Sequence, residues 1–124
     1  MSLAMRDAFG KKLAELGAVY PELVVLDADV FSSTKSNIFA EKYPDRFFNC
    51  GVAEANMAGV AAGLATCGLR PVINAFSIFF SLKATDQIRN DICYNNLPVN
   101  HCGKLRRSFG LRREIGRASC RERV

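Results

Sequence analysis

Apolar and polar positions alternate along the chain in a way that predicts short helices and strands in turn. Met5, Ala8, Phe9, Leu13 and Leu16 recur at helical spacing, so a helix is predicted over Met5–Leu16 with Gly17 as its stop. Leu23–Leu26 is a continuous apolar run between polar residues, the pattern of a strand buried on both faces. Asp27-Ala28-Asp29 and Ser32-Ser33-Thr34 follow as a polar loop able to cap a helix running to about Tyr43. Arg46–Cys50 reads as a second strand, ending at Gly51. Glu54 opens a helix to about Thr66, in which Gly59 and Gly63 are expected to allow close packing on a sheet. Pro71–Ala75 is a third strand, Phe79–Cys93 a further helix, and Leu97-Pro98-Val99 the start of a fourth strand.

This order predicts an α/β fold, a parallel sheet with helices on both faces. Such sheets bind ligands at the carboxyl ends of their strands. Asp27, Asp29, Ser33, Glu54 and Phe76 all fall just past predicted strand ends. Neither G-x-G-x-x-G nor G-x-x-x-x-G-K-[ST] occurs, so no known phosphate cradle is present in the sequence.

Charge changes the picture only at one end. The 124-residue chain carries +5, with a pI near 9.1, which at face value suggests an acidic partner such as nucleic acid. Residues 1–99 hold 9 Lys+Arg against 10 Asp+Glu, whereas residues 100–124 hold 8 against 2. The only histidine, His101, is in that basic tail, so chemistry in the body proceeds without imidazole. The five cysteines form no C-x-x-C pair, and Cys67 and Cys93 lie in apolar helical patterns where a thiol acts as a small hydrophobe. No secretory signal pattern opens the chain, and the longest uncharged run, Ala55–Leu69, is too short to span a bilayer. A reducing cytoplasm is the expected compartment.

Gly51-Val-Ala-Glu54-Ala-Asn-Met57-Ala-Gly-Val-Ala-Ala-Gly-Leu64-Ala resembles the signature of the pyrimidine-binding domain of the transketolase family. Met5–Gly10, Val24–Val30, Ser33–Lys35, Pro44–Asn49, Asp86–Asn90 and Leu97–Val99 agree with it in order and spacing. The resemblance is nearest to the C-terminal subunit of transketolases split into two chains. Deoxyxylulose-phosphate synthases share the Asp86-Gln87 and Leu97-Pro98-Val99 pieces. The resemblance implies a thiamine diphosphate cofactor and transfer of a two-carbon ketol unit between sugar phosphates in the pentose phosphate pathway. It gives Glu54 the catalytic place, hydrogen-bonded to the aminopyrimidine ring so that the imino tautomer is favoured. The role needs a carboxyl in a dry pocket sharing a proton with a ring nitrogen. Phe76 and Phe79 match aromatics that pack on that ring, with Phe80 an alternative. Asp29 matches an acidic position on the thiazolium side. Arg6 and Ser33 match positions that bind the sugar phosphate, where the forked donors of an arginine suit the anion.

In that family the diphosphate and its Mg2+ are held by another domain through a Gly-Asp-Gly…Asn motif, which this sequence lacks. No metal ligand is therefore assigned here. An N-terminal transketolase subunit is the expected partner, in a dimer of heterodimers, and this chain alone is expected to be inactive. Neither nucleic acid nor membrane is an expected partner. The rival reading is a basic-tailed nucleic-acid-binding protein.

The resemblance stops at Val99, and residues 1–99 read as a partial, marginally stable domain. Shifting the frame of Asn100–Phe109 by one base permits Thr-Ile-Val-Gly-Ser-Tyr-Ala-Gly-Leu-Ser, close to the family's next strand. Residues 100–113 are therefore expected to be frameshifted. Glu114–Val124 reads as a translated sequencing adapter.

Overall fold

The computed structural model describes residues 4–104. Strands β1 (Leu23–Asp27), β2 (Phe47–Asn49), β3 (Arg70–Phe76) and β4 (Asn100–Lys104) form one parallel sheet in the order β2-β1-β3-β4. The helices are α1 (Met5–Val19), α2 (Phe31–Thr34), α3 (Asn37–Lys42), α4 (Glu54–Thr66), α5 (Ser77–Lys83) and α6 (Thr85–Gln87), followed by a π-helical turn over Ile88–Cys93. The α/β architecture predicted from sequence is the one adopted. Among the described residues no helix is long and apolar enough to cross a membrane.

Every residue of β1 is buried, and its alternation divides the core in two. Val24 and Leu26 join Ile73, Ala75, Met57, Ala58, Ala61, Phe80 and Ile92 beneath α4 and α5. Leu23 and Val25 join Val72, Leu13 and Phe39 beneath α1 and α3. Each large apolar side chain fully withdrawn from water contributes roughly 1.5–3 kcal/mol, so β1 anchors both layers.

Several local expectations are corrected by packing. Gly17 does not stop α1, which continues to Val19. A Cβ there would stand 2.6 Å from Tyr43 and 2.7 Å from Phe39, so the glycine lets two rings press on the helix. The helix end is instead tied by Arg46, whose guanidinium donates to the carbonyls of Gly17 (2.8 Å), Tyr20 (3.0 Å) and Pro21 (3.2 Å). That role takes Arg46 out of β2 and into a 3-10 turn, Pro44–Arg46. On α4 the alanines face the sheet, while a Cβ at Gly63 would meet nothing within 4 Å and one at Gly59 only an Asp91 oxygen at 3.9 Å. Close packing is thus the work of Ala58, Ala61, Ala62 and Ala65.

The helix predicted to reach Tyr43 is split into α2 and α3 by Lys35, which sits at φ 66°. The helix predicted over Phe79–Cys93 is broken at Ala84 and starts two residues earlier. Cys67 and Cys93 are exposed rather than core, because they lie beyond the last buried positions of their helices. The fourth strand begins at Asn100 and not at Leu97, since Leu97 and Val99 pack against the core beneath α4. β4 pairs in parallel with β3, from Val72 opposite Asn100 to Phe76 opposite Lys104. The sequence readings for residues 105–124 lie outside the described residues.

Candidate active site

The carboxyl edge of the sheet collects the candidate residues. After β2 the chain turns through Gly51, at φ 68°, and enters α4 at Glu54. The left-handed turn suits glycine because it has no Cβ to clash. Asn49 stabilises the approach from both sides. Its Oδ1 accepts the Gly51 amide (3.0 Å), and its Nδ2 donates to Asp29 Oδ1 (3.0 Å).

Glu54 is 3% exposed. A carboxylate buried that far from water needs a compensating partner. It finds Lys83 at the end of α5, with Nζ 3.3 Å from Oε2. The same Nζ lies 4.7 Å from the centroid of the Phe79 ring, a cation–π contact. Phe79 in turn meets Phe76 edge-on, with centroids 5.9 Å apart. Both rings are half-buried, one ending β3 and the other in the first turn of α5. Phe80 points into the core, 3% exposed and 5.9 Å from His101. Of the two adjacent aromatics, Phe79 is therefore the one beside Glu54.

Asp29 is tied through Asn49 to the Gly51 turn that leads into α4, and its backbone is left-handed, at φ 61°. It does not cap the following helix. Ser33 lies on α2, partly buried, and Arg6 lies exposed in the first turn of α1. Because α1 runs back to the start of β1, its first turn is also at the carboxyl edge. The structure thus places all six residues at one edge but on two sides. Glu54, Phe76 and Phe79 share one contact cluster where α4 meets α5, while Arg6 and Ser33 belong to the α1–α2 side.

One residue of the site, Lys83, has no place in the sequence reading, and another, Asp27, has a different role from the one its position suggests. The one sequence signal for Lys83 is that it is the only charged residue between Arg70 and Asp86 and stands four places after Phe79. Asp27, expected just past the first strand in a loop open to ligand, is instead the last residue of β1. It is fully buried, and its carboxylate accepts from the Val30 amide (2.6 Å), Ser36 Oγ (2.8 Å) and Thr34 Oγ1 (3.2 Å). Burial pushes its pKa above the usual 3.8 despite those three donors, and Asp29 adds to the rise. Beside it in register is Asn74, fully buried, with no protein partner for either amide atom. Burial also raises the Cys50 and Cys102 thiols, with the Asp27 charge a further cause at Cys50, so both are poor nucleophiles. Among the described residues no group of three or more His, Cys, Asp or Glu side chains could hold a metal ion.

A buried carboxyl beside two half-buried aromatic rings suits a flat heterocycle that has a hydrogen-bonding edge. Residues 1–111 match the sequence profile of the transketolase pyrimidine-binding domain. The chain belongs to that family. It is 52% identical over 95 residues to a Methanocaldococcus jannaschii protein described as a transketolase C-terminal section, covering 77% of this chain and 30% of that protein. It is 44% identical over 93 residues to the 1-deoxy-D-xylulose-5-phosphate synthase of Dictyoglomus thermophilum, covering 75% and 15%. Its fold superposes on a split-gene transketolase solved as an inactive beta4 tetramer, with TM-score 0.75, 48% identity, and 83% of this chain and 34% of that one covered. The chain spans about a third or less of the length of each of these relatives.

Proposed function

We propose that this pyrimidine-binding domain supplies one side of a thiamine diphosphate site in a transketolase, as part of the C-terminal subunit. The observation that carries the reading is the buried Glu54 carboxyl beside the Phe76–Phe79 pair. Thiamine diphosphate, when bound, supplies the electron sink that lets a two-carbon ketol unit pass from one sugar phosphate to another. Glu54 shares a proton with an edge nitrogen of the aminopyrimidine, and its dry setting keeps water from competing for that hydrogen bond. Phe79 and Phe76 pack against the ring and fix its plane. Asp29, held by Asn49, lines the thiazolium side. Arg6 and Ser33, from the other side of the edge, meet the phosphate of the sugar.

In this reading an N-terminal subunit holds the diphosphate and Mg2+, two such heterodimers associate, and the chain alone is inactive. The complex works in the cytoplasm, in the pentose phosphate pathway, with neither nucleic acid nor membrane as partner. The resemblance to the Dictyoglomus synthase supports a second reading, in which the same residues serve formation of 1-deoxy-D-xylulose 5-phosphate.

The test pairs the chain with an N-terminal transketolase subunit and measures thiamine-dependent ketol transfer between sugar phosphates. Glu54→Ala should lower the rate by about 100-fold or more, the range for a lost proton-transfer group. A variant with undiminished rate refutes the assignment. Deoxyxylulose phosphate as the only product favours the second reading.

A further inference from the structure

The two features of the site that would receive a pyrimidine are both engaged by one side chain. Lys83 Nζ pairs with Glu54 Oε2 at 3.3 Å and stands 4.7 Å over the Phe79 ring. The Glu54 side chain is 3% exposed, whereas that of Lys83 is 49% exposed. The carboxylate therefore depends on the lysine, but the lysine has water close by. A long, flexible ammonium can leave such a pair at low cost, because solvent rehydrates it at once.

We propose that Lys83 is a place-holding counter-ion, which compensates the buried Glu54 and must swing out to admit the aminopyrimidine. The inference rests on the proposed function and adds a positioning residue to it. The Lys83 ammonium, 3.3 Å from Oε2, occupies the face of the carboxyl group that a ring nitrogen would approach. A carboxyl that shares a proton with a ring nitrogen cannot also hold that ammonium in the same place. An aromatic ring lying on Phe79 would likewise displace the cation from the ring face. Pyrimidine binding and the Lys83–Glu54 pair are then mutually exclusive, and the pair lowers apparent affinity by the fraction of molecules in which it is formed.

The experiment uses the full chain paired with an N-terminal transketolase subunit, with thiamine as the probe. Trace acetylation followed by mass spectrometry reads the reactivity of Lys83 against exposed Lys11 and Lys42 as internal controls. Saturating thiamine should raise the reactivity of Lys83 relative to those two. Calorimetric titration should show Lys83→Met binding thiamine about fivefold more tightly than the parent chain, with Lys83→Arg close to the parent. If Lys83→Met fails to fold, the labelling result on the unaltered chain still decides. Unchanged or reduced Lys83 reactivity upon thiamine binding overturns the place-holder and leaves the site assignment standing. With the N-terminal transketolase subunit present throughout, absence of thiamine binding to both parent and Lys83→Met overturns the site assignment and the place-holder together.

Discussion

Two buried carboxylates stand at the same edge of the sheet and are held in opposite ways. Asp27 ends β1 and is bound by donors three to nine residues away in its own loop: the Val30 amide, Thr34 and Ser36. Glu54 has Lys83, 29 residues away and half in water. The first arrangement is local, neutral in its donors and closed. The second is distant, charged and open to exchange. A carboxylate locked by several fixed donors organises a loop, whereas one held by a single removable cation remains available to a ligand. The Asp27 network shapes the loop after β1 that carries Asp29 and Ser33 along the same edge.

That contrast is sharpest when each carboxylate is removed. Asp27→Ala takes the acceptor from the Val30 amide and the Ser36 hydroxyl, while Thr34 Oγ1 keeps the Val30 carbonyl at 3.3 Å, at a cost on the order of 3 kcal/mol. Glu54→Gln removes a buried charge and frees a lysine that water already reaches, so stability should change by less than about 1 kcal/mol. Urea denaturation of both variants checks this, and equal losses would erase the distinction.

A smaller effect is expected at Gly17, on the side of the sheet away from the Glu54 cluster. Gly17→Ala forces a methyl between Tyr43 and Phe39 and should destabilise by about 1–3 kcal/mol. Thiamine binding should be unaffected once the protein is folded, because the packing beneath α1 and α3 is separate from that beneath α4 and α5. A matched loss of affinity in calorimetry would show the two sides to be coupled.

The smallest effect is in pH. The Asp27 carboxyl has its folded pKa raised above 3.8, chiefly by burial. Below 3.8 both folded and unfolded chains hold the proton. As pH rises past that value the unfolded chain releases it first, so stability falls until the folded pKa is passed, by at most about 1.4 kcal/mol per pH unit. Urea midpoints should therefore drop across this window in the parent chain. The drop should be absent in Asp27→Asn, and an identical slope in that variant would assign it to other groups.

Much of this was legible in the residues. The strand of Leu23–Leu26 and the helix of Glu54–Thr66 stand where the apolar pattern put them, because one is wholly buried and the other begins on an acid and ends before a glycine. Glu54, Phe76 and Phe79 were marked by their motif, and folding brings them into one cluster. Lys83 was not legible as part of it, since pairing across 29 residues leaves no periodic trace. Nor was the use of Gly17, because a local rule reads glycine as a helix stop, and only the aromatic rings of α3 and its following turn show why the position must be bare.

By itself, then, the sequence determined what depends on neighbours in the chain: the alternation of strands and helices, the parallel sheet that follows from it, and the kinship carried by the Glu54 helix. The tertiary structure alone decided what depends on contacts between distant segments. It chose Phe79 over Phe80 by turning the latter into the core, made Asp27 rather than Asp29 the organiser of the first loop, and set Lys83 on Glu54. The physical reason is that burial and ion pairing are properties of assembled space, whereas periodicity and capping are properties of the chain.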